Sequence, residues 1–261
     1  MKPSVESNGN FFRATAEDRE VFERTGCLMV RGLFNPSEAK LLNEVARRDS
    51  DMERAATARS DAAGGRTVLA VRDDLGDDLF STIACCQRVA DNAAYLMDEE
   101  VYHYHHKLMQ KEPRVGGAWE WHQDYGYWYN YGCLSPRMLS CYIAIDRASK
   151  SNGCLQTIPG SHHLGRLDHG KVGGQTGAEL ERVEAILETM PLEYAEMEPG
   201  DGLFFHASVL HRSDQNKSED PRWSFIVCFN TRSNSPYKKI RHNGYQPLQV
   251  VDDAAVMAFA Q

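Results

Sequence analysis

Residues 137–146 read RMLSCYIAID, and a turn-forming run, SKSNG (149–153), follows shortly after. A stretch this rich in apolar, aromatic and β-branched side chains, with no glycine or proline inside it, reads as a buried strand. The same texture recurs on both sides: VYHYHHKLMQ (101–110), CLQTIP (154–159), LEYAEM (192–197), GLFFHASVL (202–210) and RWSFIVCFN (222–230). PGS, EPGDG and DQNKSEDP separate them as turns. Many short strands at this spacing predict an antiparallel sandwich or barrel. One helix, GAELERVEAILETM (177–190), interrupts them after the glycine-rich GKVGGQTG.

Before residue 100 the pattern is helical. TAEDREVFERTG starts at Thr15, carries Asp18 three residues on and closes at Gly26. CLMVRGLF follows as a short buried strand. NPSEAKLLNEVARRD is a second helix with Pro36 in its first turn, and 79–97 a third. Residues 55–67, AATARSDAAGGRT, read as a mobile loop. Neither glycine-rich stretch matches a phosphate-binding loop, so both read as flexible connectors, and 55–67 and 165–177 have the composition of lids. The expected architecture is mainly β with flanking helices around a double-stranded β-helix (jelly-roll, cupin-like) core. We expect one domain over 1–261: a helical part to about 100, the core over about 101–236, and a tail over 237–261.

Composition narrows the function. The chain of 261 residues is 42% hydrophobic and carries a net charge of −8. That balance argues against a nucleic-acid surface and an anionic membrane face, but not against an anionic small molecule in a locally basic pocket. No apolar run reaches 18 residues, so no membrane span is expected. The seven cysteines are odd in number and form no CxxC pair. This fits a reducing, cytoplasmic location, and makes the NKS sequon at Asn216 a chance match.

The candidate chemistry lies in WEWHQDYGYWYNYG (119–132). His122 and Asp124 are two apart and would share one face of a strand. His211, 87 residues after Asp124, offers a third ligand from another strand. Two imidazoles and one carboxylate are the ligand set of non-haem Fe(II) oxygenases. The pair alone is weak evidence, since an HxD tripeptide also serves surface hydrogen bonds. His103 and His105 should share a face of their strand, as core, surface or pocket residues; His162 should be structural, and His206 should face away from His211. Tyr125, Tyr127, Tyr129 and Tyr131 have period two and, if extended, form one aromatic face. That face is either a packed lid or a wall able to cage an ammonium group.

WHQDY, NGCLQTIPGSHHLG, EPGDGLFFHASVLHRSDQN and PRWSFIVCFN occur in this order, with Arg222 eleven residues after His211. Together they resemble the phytanoyl-CoA dioxygenase family of Fe(II)- and 2-oxoglutarate-dependent oxygenases, over about residues 15–236. The resemblance implies a jelly roll that uses Fe(II), 2-oxoglutarate and O2. It implies that His122, Asp124 and His211 bind iron and that Arg222 pairs with the distal carboxylate of 2-oxoglutarate, helped by Ser213. It further implies Gln123, Tyr142 and Gln110 near that cosubstrate. The HQDYGYWYN form looks most like members that hydroxylate 2-aminoethylphosphonate or its trimethylammonio analogue. Tyr125, Tyr127 and Tyr129 would then meet the cation, and Asn130, Arg137 or Arg166 the phosphonate. Retention of Asp124 favours hydroxylation over halogenation, and no coenzyme A platform is visible. Three alternatives stay open: a hydroxylase of another small amine or acyl substrate, a non-oxidative metal-binding cupin, and a jelly-roll binding protein without metal.

Overall fold

The computed structural model describes residues 5, 6, 11–49, 56–239, 242 and 244–260. Two antiparallel sheets face each other. The large sheet orders eight strands as β1 (Val5–Glu6), β2 (Cys27–Arg31), β12 (Gly202–His206), β7 (Met138–Ala144), β14 (Arg222–Thr231), β5 (Val101–Lys111), β4 (Arg66–Arg72) and β3 (Ala56–Ser60), with β1 alone running parallel to its neighbour. The small sheet orders β11 (Glu193–Ala195), β8 (Leu155–Thr157), β13 (His211–Ser213) and β6 (Trp119–His122). A hairpin of β9 (His169–Val172) and β10 (Gln175–Ala178) stands beside β6. This is the expected jelly roll.

The central strands of the large sheet are apolar on both faces because both are covered. On β7, Leu139, Cys141 and Ile143 pack on helices α3 (Leu79–Cys85) and α4 (Gln87–Met97), while Met138, Tyr142 and Ala144 face the other sheet. Phe225, Val227 and Phe229 against Ile226 and Cys228 repeat the partition on β14. Period two thus gives each strand a helix-side face and a site-side face.

Sequence signals at the helix ends are realised. α1 (Ala16–Thr25) has a full Thr15–Asp18 capping box. It ends at Gly26 with φ 72°, where a Cβ would sit 2.6 Å from both His162 and Val209. α2 (Pro36–Arg48) is capped by Asn35 and Glu38, with Pro36 opening it. The third expected helix is broken at Cys86, which is extended and bridges to Val251 of the tail. α6 (Leu180–Thr189) packs on the small sheet.

Two connectors differ from expectation. Residues 56–72 form the β3–β4 hairpin on the edge of the large sheet, with Ala55 of the expected loop outside the described residues. Asp61 anchors it, accepting from the amides of Ala63, Gly65 and Ala118 and from Gln215. Residues 169–178 form β9 and β10. Glycine-rich composition concealed both, because the hydrogen bonding there is supplied by the backbone and by one carboxylate.

All seven cysteines are buried free thiols. Asn216 is buried and donates to the carbonyls of Lys111 and Asp220, so it is a structural side chain. No described helix is long and apolar enough to cross a membrane.

Buried histidines make stability pH-dependent. Burial lowers His103 from 6.5 to about 4 and His206 from 6.5 to about 3. The unfolded chain therefore takes up protons first, so the stabilisation is complete above pH 6.5 and shrinks as pH falls toward those values. Between pH 7.5 and 5 each group is expected to cost about 2 kcal/mol of unfolding free energy. Urea titrations of the metal-free protein at the two pH values check this, and equal stabilities at both would refute it.

Candidate active site

His122 ends β6 and His211 begins β13, directly opposite it in register, with ring centroids 4.1 Å apart. Gln123 is still extended (φ −107°, ψ 135°), which keeps the two-residue alternation going to Asp124. Asp124 itself opens a short helix, α5 (Asp124–Trp128), and is not on a strand as expected. One donor atom from each of the three residues lies within 4.8 Å of the others, and all three residues are buried.

The donors are prepared for a cation. His122 Nδ1 bonds the Glu120 carbonyl at 2.7 Å, and His211 Nδ1 bonds the Val209 carbonyl at 2.9 Å. Each Nδ1 is thereby the protonated nitrogen, which leaves each Nε2 as a lone-pair donor. Burial, and then the neighbouring His211, holds His122 well below its usual value; burial lowers His211 too. Burial pushes Asp124 up, but Lys107, the two imidazoles and the Ser140 hydroxyl outweigh it and keep the carboxylate ionised. Ser140 Oγ donates to Asp124 Oδ2 at 3.0 Å, and Lys107 Nζ lies 3.7 Å from Oδ1. Two neutral imidazoles and an ionised carboxylate are what a divalent first-row metal takes up.

Behind this group Arg222, on β14, is 1% exposed. It donates to Tyr142 Oη at 2.5 Å, its Nε has no hydrogen-bond partner, and no carboxylate pairs with it among the described residues. Ser213 accepts from the buried Lys111 Nζ at 2.8 Å, and burial together with Arg222 pushes Lys111 well down. Tyr142 and Ser213 line the same cavity as the triad, a space of about 180 Å³. A buried, unpaired guanidinium is costly unless an anion meets it, so the donor set fits a small carboxylate.

The structure gathers some of the expected residues and leaves others out. The triad, Ser213, Tyr142 and Tyr127 line the cavity, and Arg222 adjoins it. Gln123 does not: its amide donates to the Gly165 and Ser208 carbonyls and accepts from Leu167, fastening the loop before β9. Gln110 does not either. His105, Lys107 and Met109 are the β5 residues facing the cavity, so position 110 faces away.

A bulge between the Cys228 and Phe229 pairings adds one residue to β5 at Tyr104. It puts Tyr104 and His105 on the site side and sends His103 to bond His106 at 3.0 Å on the other. His103 and His105 therefore do not share a face. His206 points to Phe22 and His162, and His162 bonds the Glu23 carbonyl, as their structural reading predicts.

The aromatic run is helical, not extended. Tyr127 and Tyr131, four apart, line the cavity with Trp128 and Trp119. Tyr125 is buried with its hydroxyl on the Cys133 carbonyl, and Tyr129 is exposed under the Arg166 guanidinium. Asn130 bonds the Gly126 carbonyl, Arg166 pairs with Asp168, and Arg137 pairs with Glu99. None of these five reaches the cavity. Gly126 is required in α5, because a Cβ there would lie 2.2 Å from the His169 ring, whose Nε2 accepts from the Gln123 backbone N–H.

Lys107, Ser140 and Arg59 were not singled out from the sequence. Ser140 shares the face of Tyr142 by parity and could have been found. Arg59 sits on β3 over the Trp119 ring, 5.6 Å from its centroid, at the cavity wall.

A jelly roll with this His–Asp–His group and a buried arginine beside it defines a non-haem iron, 2-oxoglutarate oxygenase architecture. The family described as phytanoyl-CoA dioxygenase (PhyH) matches residues 22–224. The chain belongs to this family of 2-oxoglutarate-dependent non-haem iron dioxygenases. It is 28% identical to L-proline trans-4-hydroxylase of Streptomyces griseoviridis over 181 residues, covering 63% of this chain and 68% of that one. It is 33% identical to methylphosphonate hydroxylase of Gimesia maris over 146 residues, covering 55% and 50%. EctD from S. alaskensis, solved with 2-oxoglutarate and 5-hydroxyectoine, superposes with a TM-score of 0.77 at 21% identity, covering 95% of this chain and 90% of that one.

Proposed function

We propose that the enzyme hydroxylates a C–H bond of a small zwitterion, with 2-aminoethylphosphonate or its trimethylammonio analogue as the best candidate. The observation that carries this reading is the composition of the cavity wall. Trp119, Tyr127, Trp128 and Tyr131 offer π faces to an ammonium group, while Arg59 offers a guanidinium to an oxyanion. Similarity to a methylphosphonate hydroxylase supports the phosphonate end. The cavity volume of about 180 Å³ suits a small molecule and not an acyl-CoA.

In this reading His122, Asp124 and His211 hold Fe(II). Arg222 and Ser213 hold the distal carboxylate of 2-oxoglutarate, with Tyr142 fixing the guanidinium. Iron and 2-oxoglutarate supply the activation of O2 that the protein's own side chains lack. The chain orients the ligands and the substrate. Ser140 fixes the Asp124 carboxylate, Lys107 balances its charge, and the aromatic wall excludes water around the C–H bond to be oxidised. Removal of the Arg59 guanidinium should weaken an anionic substrate by about 10-fold, and Tyr127→Leu should weaken the cationic end.

Anaerobic calorimetry of the iron- and 2-oxoglutarate-loaded protein tests both ends, comparing 2-aminoethylphosphonate, its trimethylammonio form and L-proline. Tightest binding of a phosphonate, weakened about 10-fold in Arg59→Ala, is expected. Preference for the amino acid, or no effect of Arg59→Ala, would overturn the phosphonate reading.

A further inference from the structure

Three side chains from separate parts of the chain meet beside the cavity, away from the triad, and two of them, His105 and His242, line it. Asp73 follows β4, His105 stands beside the β5 bulge, and His242 comes from the C-terminal tail. One donor atom of each lies within 4.8 Å of the other two. The His105 and His242 rings stack at 4.6 Å with 28° between planes, and His242 Nδ1 lies 2.5 Å from Asp73 Oδ1. Tyr104 and Tyr131 pack on His242 at 4.4 and 5.5 Å and fix its ring.

A simple ion pair would account for Asp73 and His242 but not for His105. That ring is 4% exposed, and its Nδ1 is buried with no hydrogen-bond partner. A buried unsatisfied nitrogen is destabilising, yet the bulge turns this residue inward beside a second imidazole and a carboxylate. We propose that Asp73, His105 and His242 form a second divalent-cation site, for a borderline ion of the Zn²⁺ type.

Two imidazoles and a carboxylate suit such an ion, and three protein ligands leave a coordination position free. Since His105 and His242 both line the cavity, that position would take an oxyanion entering it. The site shares no residue with the triad. Lys107, which pairs with Asp124, lies two residues along β5 from His105, about 7 Å by strand geometry. The inference does not depend on the oxygenase reading, because it concerns different ligands and is tested by metal content.

The test is Zn²⁺ titration of the full chain by calorimetry, with metal content measured after gel filtration. Wild type should bind one equivalent more than Asp73→Asn and one more than His242→Ala. Asp73 is one-third exposed, so Asp73→Asn preserves size and folding while removing the charge. In a second arm, His211→Ala should retain a Co²⁺ d–d absorption that disappears when Asp73→Asn is added. Equal Zn²⁺ stoichiometry in wild type and Asp73→Asn, or a Co²⁺ spectrum in His211→Ala that is indifferent to Asp73→Asn, would overturn the second site.

Discussion

Arg222→Ala is expected to raise the 2-oxoglutarate concentration for half-maximal turnover by about 10²–10⁴-fold while iron binding stays intact. Arg222 is buried, its Nε is unsatisfied, and its one close polar partner is the neutral Tyr142 hydroxyl. Its charge is balanced only when an anion arrives. Breaking such a buried charge pair from one side costs about 3–5 kcal/mol, and each 1.36 kcal/mol is about a factor of ten. A lysine would supply the charge without the forked donors, so Arg222→Lys should recover part of the loss only. The free protein should not be destabilised by Arg222→Ala, since the variant removes a charge with no carboxylate partner. Titration of 2-oxoglutarate at saturating Fe(II), together with urea unfolding, checks both statements. A shift below threefold would count against this role for Arg222.

Arg88→Ala is expected to lower the unfolding free energy by about 3–5 kcal/mol. Arg88 is 1% exposed and joins three elements. Its guanidinium holds Glu38 of α2 through two bonds of 2.7 Å, reaches Asp253 of the tail at 3.2 Å, and bonds the carbonyls of Leu33 and Asp253. Alanine would strand the buried Glu38 carboxylate and leave Asp253 to Arg13 alone. Arg88→Met fills the volume but leaves the same two charges, so it should rescue little. The double variant Arg88→Met with Glu38→Gln should recover a measurable part, because the stranded Glu38 charge is then gone. Urea unfolding of the three variants measures this; a loss under about 1 kcal/mol for Arg88→Ala would show that the tail does not depend on the network.

The jelly roll was legible because its strands are apolar runs cut by turn residues, and that pattern survives without knowledge of pairing. The triad was legible because His122 and Asp124 are neighbours in sequence and His211 falls opposite them once β13 pairs with β6. What failed was anything that depended on a register or on local competition. One bulge at Tyr104 reversed the parity of β5, hiding Lys107 and exchanging His103 for His105. Gln123 looked like a pocket residue, but three backbone groups of neighbouring loops claim its amide. The tyrosine run suited a strand by its period of two. A helix start at Asp124 instead selects the i, i+4 pair Tyr127 and Tyr131 and turns Tyr125 and Tyr129 away. Arg59 was hidden in an alanine- and glycine-rich stretch whose order comes from the Asp61 carboxylate. Arg166 was drawn off by Asp168, two residues along.

Succinate formation from 2-oxoglutarate, measured with Fe(II), ascorbate and O2 across small amines and phosphonates, tests the central claim most directly. Wild type should give succinate that rises with one class of compound and is matched by a hydroxylated product, and His211→Ala should give none. Confirmed iron loading with no succinate above background, together with no anaerobic binding of 2-oxoglutarate, would contradict it.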